Sequence, residues 1–207
     1  MTGTGNLYII SAPSGTGKTT LVKTLLDTVG HITVSISHTT RLKRPGEMDG
    51  VNYYFIDEAA FQKMIKNKEF LEYATIFDHH YGTSRRWVEY TLTRGLDVIL
   101  EIDWQGHQQI KKLFPEAIGI FILPPTLEDL RQRLAKREQG RPNIVAQRLA
   151  DVHETIAHVD EYEYVVINDD FNHALADLKT IIEAGRLLGS RQTKKYAKLL
   201  HELSELN

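Results

Sequence analysis

The sequence predicts an α/β fold in which a parallel sheet is covered by helices. Three observations carry this: five short apolar, β-branched stretches, helical patterns lying between them, and a glycine-broken loop joining the first stretch to the first helical pattern. The stretches are 7–11 (L-Y-I-I-S), 34–38 (V-S-I-S-H), 97–103 (D-V-I-L-E-I-D), 117–123 (A-I-G-I-F-I-L) and 164–168 (Y-V-V-I-N). Several are continuously apolar rather than alternating, which suits strands buried on both faces of a parallel sheet.

The helices follow from spacing. Leu21, Val22, Leu25, Leu26 and Val29 recur at a 3.6-residue period after the loop, and Gly30 ends the run. Thr126 caps a second helix with Leu127, Leu130 and Leu134 on one face, and Ala174, Leu175, Leu178, Ile181 and Ile182 mark a third. Strands alternating with helices give a covered parallel sheet. Two segments break the rhythm. Residues 41–90, with the turn R-P-G-E at 44–47 and Y-Y-F at 53–55, read as an inserted subdomain; residues 137–148, polar and arginine-dense, read as a mobile flap. In the tail, 186–207, Leu199, Leu200, Leu203 and Leu206 lie on a helix expected to pack against the body, with partner contact as the alternative.

Composition sets outer bounds. A chain of 207 residues with 42% hydrophobic and 25% charged residues fits one globular domain. A formal charge of −2 supplies no global basic field, so no nucleic-acid partner is expected. The absence of cysteine excludes disulfides and thiolate metal sites. The start M-T-G-T-G-N has no basic region and no apolar run approaches 18 residues, so neither a signal peptide nor a membrane span is expected, and the cytoplasm is the default location. The nine histidines, His79-His80 included, show no ligand spacing.

The loop S-A-P-S-G-T-G-K-T-T at 11–20 carries the first chemistry. Gly17, Lys18 and Thr19 fit the pattern G-x-x-x-x-G-K-[ST]; Ala12 stands where its first glycine belongs, and Gly15 is extra. In such a loop, successive N–H groups and the positive end of the following helix point at phosphate oxygens. Lys18 adds a point charge and the Thr19 hydroxyl can ligate Mg²⁺. Alanine at 12 requires φ below zero there. Glu101 and Asp103, two apart on one face of a strand end, supply carboxylates. Glu101 is the candidate for the metal, through water; a solvated strand-end acid is the alternative.

A second anion site is suggested by S-I-S-H-T-T-R-L-K-R-P-G-E at 35–47. Arg41 and Arg44 lie three apart in a loop stopped by Pro45, and guanidinium forks clamp a phosphate bidentately. Tyr53 and Tyr81 can each donate a hydroxyl to the same phosphate. Taken singly, the arginines equally read as a solvated cluster, each tyrosine as half-buried packing, and Glu72 in F-L-E-Y-A as a solvated helix residue.

Taken together, S-A-P-S-G-T-G-K-T-T, S-H-T-T-R-x-x-R-P-G-E, Y-G-T-S, E-I-D-W-Q-G, I-L-P-P and V-I-N-D-D resemble the guanylate kinase family in order and spacing, over nearly the whole chain. The resemblance implies a P-loop NTPase-type fold over 5–184, made of a core (1–36, 91–125 and 149–207), a GMP-binding subdomain (37–90) and a mobile lid (126–148). It further implies ATP-dependent phosphorylation of GMP to GDP, with ATP and GMP as small-molecule partners, Mg²⁺ bound with ATP, and dGMP an open alternative acceptor. Carried over by position, Ala12, Pro13, Ser14, Gly15, Thr16, Gly17, Lys18, Thr19 and Thr20 hold the ATP phosphates, and Asn168 lies at the adenine. Arg41, Arg44, Tyr53 and Tyr81 hold the GMP phosphate, while Ser37, Glu72, Thr83 and Asp103 read the guanine. Lys18, Arg41, Arg133, Arg137 and Arg148 act on the transferring phosphates, and Thr19 and Glu101 face the metal.

The base chemistry supports this independently. Guanine presents N1–H and the 2-amino group beside the acceptor O6; a carboxylate accepts both donors, and hydroxyls donate to O6. Adenine would leave buried polar groups unpaired, and sites of this kind reject such analogues by roughly 10⁴-fold or more. The chain departs from the family pattern at Glu101, where aspartate is usual, and in the flap, where Arg141 adds a charge with no assigned role. Two other functions compete: phosphorylation of another monophosphate or small alcohol, and a guanylate-kinase-like module that docks proteins without catalysis.

Overall fold

The computed structural model describes residues 4–137 and 142–206. From the N-terminus the elements are β1 (Leu7–Ser11), α1 (Lys18–Thr28), β2 (Ile32–Val34), β3 (His38–Thr39), β4 (Tyr54–Phe55) and α2 (Glu58–Lys66). There follow β5 (Phe70–Ile76), β6 (His79–Ser84), α3 (Arg85–Thr93), β7 (Asp97–Leu100), α4 (Trp104–Leu113) and β8 (Ile118–Leu123). The rest comprises α5 (Leu127–Arg137), α6 (Pro142–Ile156), β9 (Tyr164–Ile167), α7 (Phe171–Arg186), α8 (Gly189–Lys195) and α9 (Ala197–Ser204).

The central sheet has the order β2-β7-β1-β8-β9, and all its pairings are parallel. The inner strands β7, β1 and β8 are buried on both faces, as their apolar runs require, whereas the edge strands β2 and β9 are partly exposed. Tyr8 and Ile10 point to one side, where Leu21, Val22 and Leu25 of α1 and Leu178, Ile181 and Ile182 of α7 pack against them. Leu7 and Ile9 point to the other, against Val88 and Leu92 of α3 and Ile110 of α4. In such a sheet, ligands bind beyond the carboxyl ends of the strands, where the order of connection reverses. Ser11, Glu101 and Asn168 all stand at those ends.

A second sheet, β4-β3-β6-β5, is built wholly from residues between Ser37 and Arg85. The sequence pattern does not predict this sheet and reads 34–38 as a single strand. The chain instead leaves the central sheet at Val34 and re-enters the second sheet at His38, with Ser35, Ile36 and Ser37 as the crossover. The β5–β6 hairpin turns through Phe77 and Asp78, with φ of 49° and 62°. Two consecutive left-handed residues form the type I′ turn that matches strand twist.

The helix expected after Thr126 is present as α5, but its leucines divide. Leu130 and Leu134 are buried with Val152 of α6, whereas Leu127 is exposed. The leucines of the C-terminal tail do not pack as expected: Leu199, Leu200, Leu203 and Leu206 all remain exposed. Within the flap, residues 138–141, Arg141 among them, lie outside the described residues, as does the Arg137 side chain. Among the described residues no helix is long and apolar enough to cross a membrane.

Candidate active site

The phosphate loop leaves β1 and enters α1 through Gly17. Positive φ within the loop falls only at Gly15 and Gly17, both at 94°, so Ala12 meets the condition its side chain imposes. Helices α2, α3, α4 and α7 carry side-chain caps from Asp57, Ser84, Asp103 and Asp170, while α1 has Gly17 and no side-chain cap. Its first N–H groups therefore point into the cleft unoccupied by protein side chains, the arrangement that attracts an anion. A Cβ at Gly17 would lie 2.7 Å from Asn168 Nδ2. That amide donates to the Thr16 carbonyl at 2.6 Å, and Arg133 donates to the same oxygen at 3.2 Å and to the Asn168 carbonyl at 3.1 Å. From the other side Leu130 and Leu134 of α5 close on Gly15. The loop is clamped by α5 and by the end of β9.

Lys18 and Thr19 open α1. Burial lowers the Lys18 ammonium below its ordinary value, and Glu101 and Asp103 oppose that shift. The Thr19 hydroxyl approaches Glu101 Oε2 at 3.5 Å. A hydroxyl and a carboxylate on one side of the loop are hard oxygen donors of the kind Mg²⁺ takes, and Thr19 and Glu101 are the residues that would hold it. Among the described residues no group of three or more acidic, histidine or cysteine side chains gathers that could hold a metal ion.

The second sheet brings together the residues expected to form the second anion site. Arg41 is 8% exposed. Its two terminal nitrogens donate to Glu47 at 2.7 and 3.0 Å, and its guanidinium lies 5.3 Å over the Tyr53 ring. Burial works against the Arg41 charge, but Glu47 and Tyr81 outweigh it and raise the guanidinium above its ordinary value. The Arg41 hydrogen bonds hold the Glu47 carboxyl below the usual range. Tyr53 and Tyr81 meet edge-on at 5.8 Å. Arg44 is exposed, and its backbone N–H donates to Glu47 at 2.8 Å. The sequence singles out both arginines and both tyrosines but gives no sign of Glu47 as their partner, although it closes the quoted R-P-G-E turn.

Glu72 sits in β5, not in a solvated helix, and is 3% exposed. A register shift between Phe70 and Glu72 interrupts the strand's alternation and turns the carboxylate inward. Thr83, its neighbour on β6, donates to Glu72 Oε1 at 2.5 Å. Burial pushes the Glu72 carboxyl up to about 7, Thr83 lowers it and Asp103 raises it further. Asp103 itself is engaged in capping α4, accepting from the Gly106 N–H at 3.0 Å and from Gln105 at 3.0 Å. Ser37 is half-buried on the crossover and its carbonyl accepts from the Tyr54 N–H at 2.9 Å.

The two groups of residues lie close enough to influence one another's charge. Asp103 acts on both Lys18 and Glu72, and Glu101 acts on both Lys18 and Tyr53. Above them Arg148 of α6 donates to the Ser14 hydroxyl and lies 5.6 Å over the Phe77 ring at the hairpin tip. Arg148 thus bridges the phosphate loop and the second sheet.

A parallel sheet carrying an uncapped glycine loop and lysine at its carboxyl edge, opposite a buried guanidinium, defines a P-loop nucleotide-binding phosphotransferase. The family model for guanylate kinase matches residues 4–185. A guanylate kinase of Coxiella burnetii (strain RSA 493 / Nine Mile phase I) is 55% identical over 200 residues, 97% of each chain. One of Saccharophagus degradans is 51% identical over 203 residues, 98% of this chain and 99% of that one. The crystal structure of guanylate kinase from Anaplasma phagocytophilum shares the fold with a TM-score of 0.78 at 32% identity, covering 91% of this chain and 90% of that one. The chain belongs to the guanylate kinase family.

Proposed function

We propose that the chain transfers the γ-phosphoryl group of ATP to GMP, giving ADP and GDP, and so recycles purine nucleotide and supplies GTP in the cytoplasm. One observation carries the choice of acceptor: a carboxylate buried to 3% exposure, held by a threonine hydroxyl, in the same cleft as a buried arginine beside two tyrosines. The carboxylate of Glu72 accepts the guanine N1–H and 2-amino donors, with Ser37, Thr83 and Asp103 completing the base pocket. Arg41, Arg44, Tyr53 and Tyr81 bind the GMP phosphate. That phosphate displaces Glu47 from the Arg41 fork or shares the fork with it.

In this reading the loop from Ala12 to Thr20, with Lys18, holds the ATP phosphates, and Asn168 borders the adenine. The acceptor is already an oxyanion, so no strong base is required. The barrier lies in bringing two anions together, and it is met by positioning and by positive charge. Lys18, Arg41, Arg133, Arg137 and Arg148 supply that charge. Thr19 and Glu101 would hold Mg²⁺, which when bound neutralises phosphate charge. The core (1–36, 91–125 and 149–207) carries the donor site, residues 37–90 the acceptor site, and the lid 126–148 closes over both and excludes water.

The test is a coupled ADP-release assay with GMP, dGMP, AMP, dTMP and CMP as acceptors. GMP turnover should exceed AMP turnover by roughly 10⁴-fold in kcat/KM. Comparable turnover of AMP would remove Glu72 from the base site, and no turnover of any acceptor would remove the activity.

A further inference from the structure

We infer that Gly106 is a specificity-determining position of the guanine pocket: the bare face of α4 at this residue sets where the Glu72 carboxylate stands. The inference rests on the proposed reading of Glu72 as the guanine acceptor.

Gly106 is the third residue of α4 and is buried. Its φ is not among the positive values, so the backbone does not demand glycine. Glycine is a poor helix former beside alanine, so its use in this helix has to be repaid by something else. The space provides the reason. A Cβ at 106 would lie 2.6 Å from Glu72 Oε2, 3.1 Å from Glu72 Cδ and 3.1 Å from Ile102 Cδ1. The other oxygen, Oε1, is tethered to Thr83 at 2.5 Å. One carboxylate oxygen is thus fixed by a hydroxyl, and the second rests against a residue with no side chain.

The consequence is selective. The atom that a methyl at 106 pushes aside is the end of a flexible side chain, so the fold can absorb the change. The carboxylate cannot absorb it without losing its aim, because accepting N1–H and the 2-amino group together needs both oxygens in the plane of the base. Gly106 also donates its N–H to Asp103, so the same turn of helix places two of the proposed guanine-facing carboxylates.

The experiment compares Gly106→Ala, Glu72→Gln and the double variant Glu72→Asp/Gly106→Ala with the unaltered chain, using GMP, IMP and ATP as varied substrates and thermal denaturation as a check on folding. IMP lacks the 2-amino group and serves as the probe. Gly106→Ala should raise the GMP KM about tenfold or more, leave the ATP KM within about twofold, and narrow the preference for GMP over IMP by about tenfold. Aspartate is one methylene shorter and makes room, so the double variant should lose less than the two single changes multiplied together, Glu72→Asp being measured alongside. An unchanged GMP KM in Gly106→Ala, or equal losses for GMP and IMP, overturns the inference. If Gly106→Ala does not fold, the double variant decides: recovery of folding and of GMP turnover supports the inference, and no recovery overturns it. Glu72→Gln separates the two levels. A raised GMP KM there with an unaffected Gly106→Ala refutes only the role of Gly106, whereas an unchanged GMP KM in Glu72→Gln refutes the reading of Glu72 and the inference with it.

Discussion

Glu72 has its carboxyl pushed from an ordinary 4.5 up to about 7 because burial strips water from the charge and Asp103 repels it. In the ligand-free chain this raised value has a definite sign. Between about 4.5 and about 7 the folded state holds a proton that the unfolded state has released. The contribution to stability is therefore complete below about 4.5 and is lost as pH rises through about 7. Glu72→Gln, neutral at every pH, should raise the stability of the ligand-free protein at pH ~8 by about 1–3 kcal/mol, with the gain shrinking as pH falls. Thermal denaturation across that range checks it. Binding runs the opposite way. Only the ionised carboxylate accepts both guanine donors, so kcat/KM for GMP should fall below about pH 7 while that for ATP stays flat through the same inflection. Coincident profiles for the two substrates would count against Glu72.

Elements explain what could be read from the chain and what could not. The strands at 7–11, 97–100 and 118–123 were legible because each is an apolar run buried on both faces, while 164–167, at the sheet edge with only Val166 buried, was legible from its β-branched composition alone. The second sheet was not, because β3 and β4 are two residues each and carry no period. The bulge after Phe70 hid β5 as a strand, so Glu72, named only through the family resemblance, otherwise read as a solvated helix residue. The arginines and tyrosines of the acceptor site were visible as residue types; Glu47 as partner of Arg41, and Gly106 as wall of the base pocket, depend on contacts that spacing does not encode. Within the phosphate loop the element-scale prediction concerns Gly17. At φ 94° and with Asn168 Nδ2 2.7 Å from a new Cβ, Gly17→Ala must shift the loop. A displacement of about 1 Å in a positioning element can cost about 10²-fold, so kcat/KM for ATP should fall by that order. ATP titration and initial rates measure it; an unaltered value would mean that the loop does not hold the phosphates.

For the molecule as a whole, the bodies on either side of the cleft meet where Arg148 lies 5.6 Å over Phe77. Phe77 is 39% exposed, so its ring adds little to folding and its worth lies in that contact. Phe77→Ala should lower stability by no more than about 1 kcal/mol, the size of the contact itself. It should lower kcat about two- to fivefold, the size of one exposed cation–π contact, without raising the ATP KM. Unchanged kcat would show that the hairpin tip takes no part in turnover.

A single carbonyl oxygen, that of Thr16, receives both Asn168 and Arg133. Three stretches far apart along the chain are thereby riveted at one point. A shift of either α5 or the end of β9 is passed to the oxygen that the other one holds, so the loop and its two props form one mechanical unit.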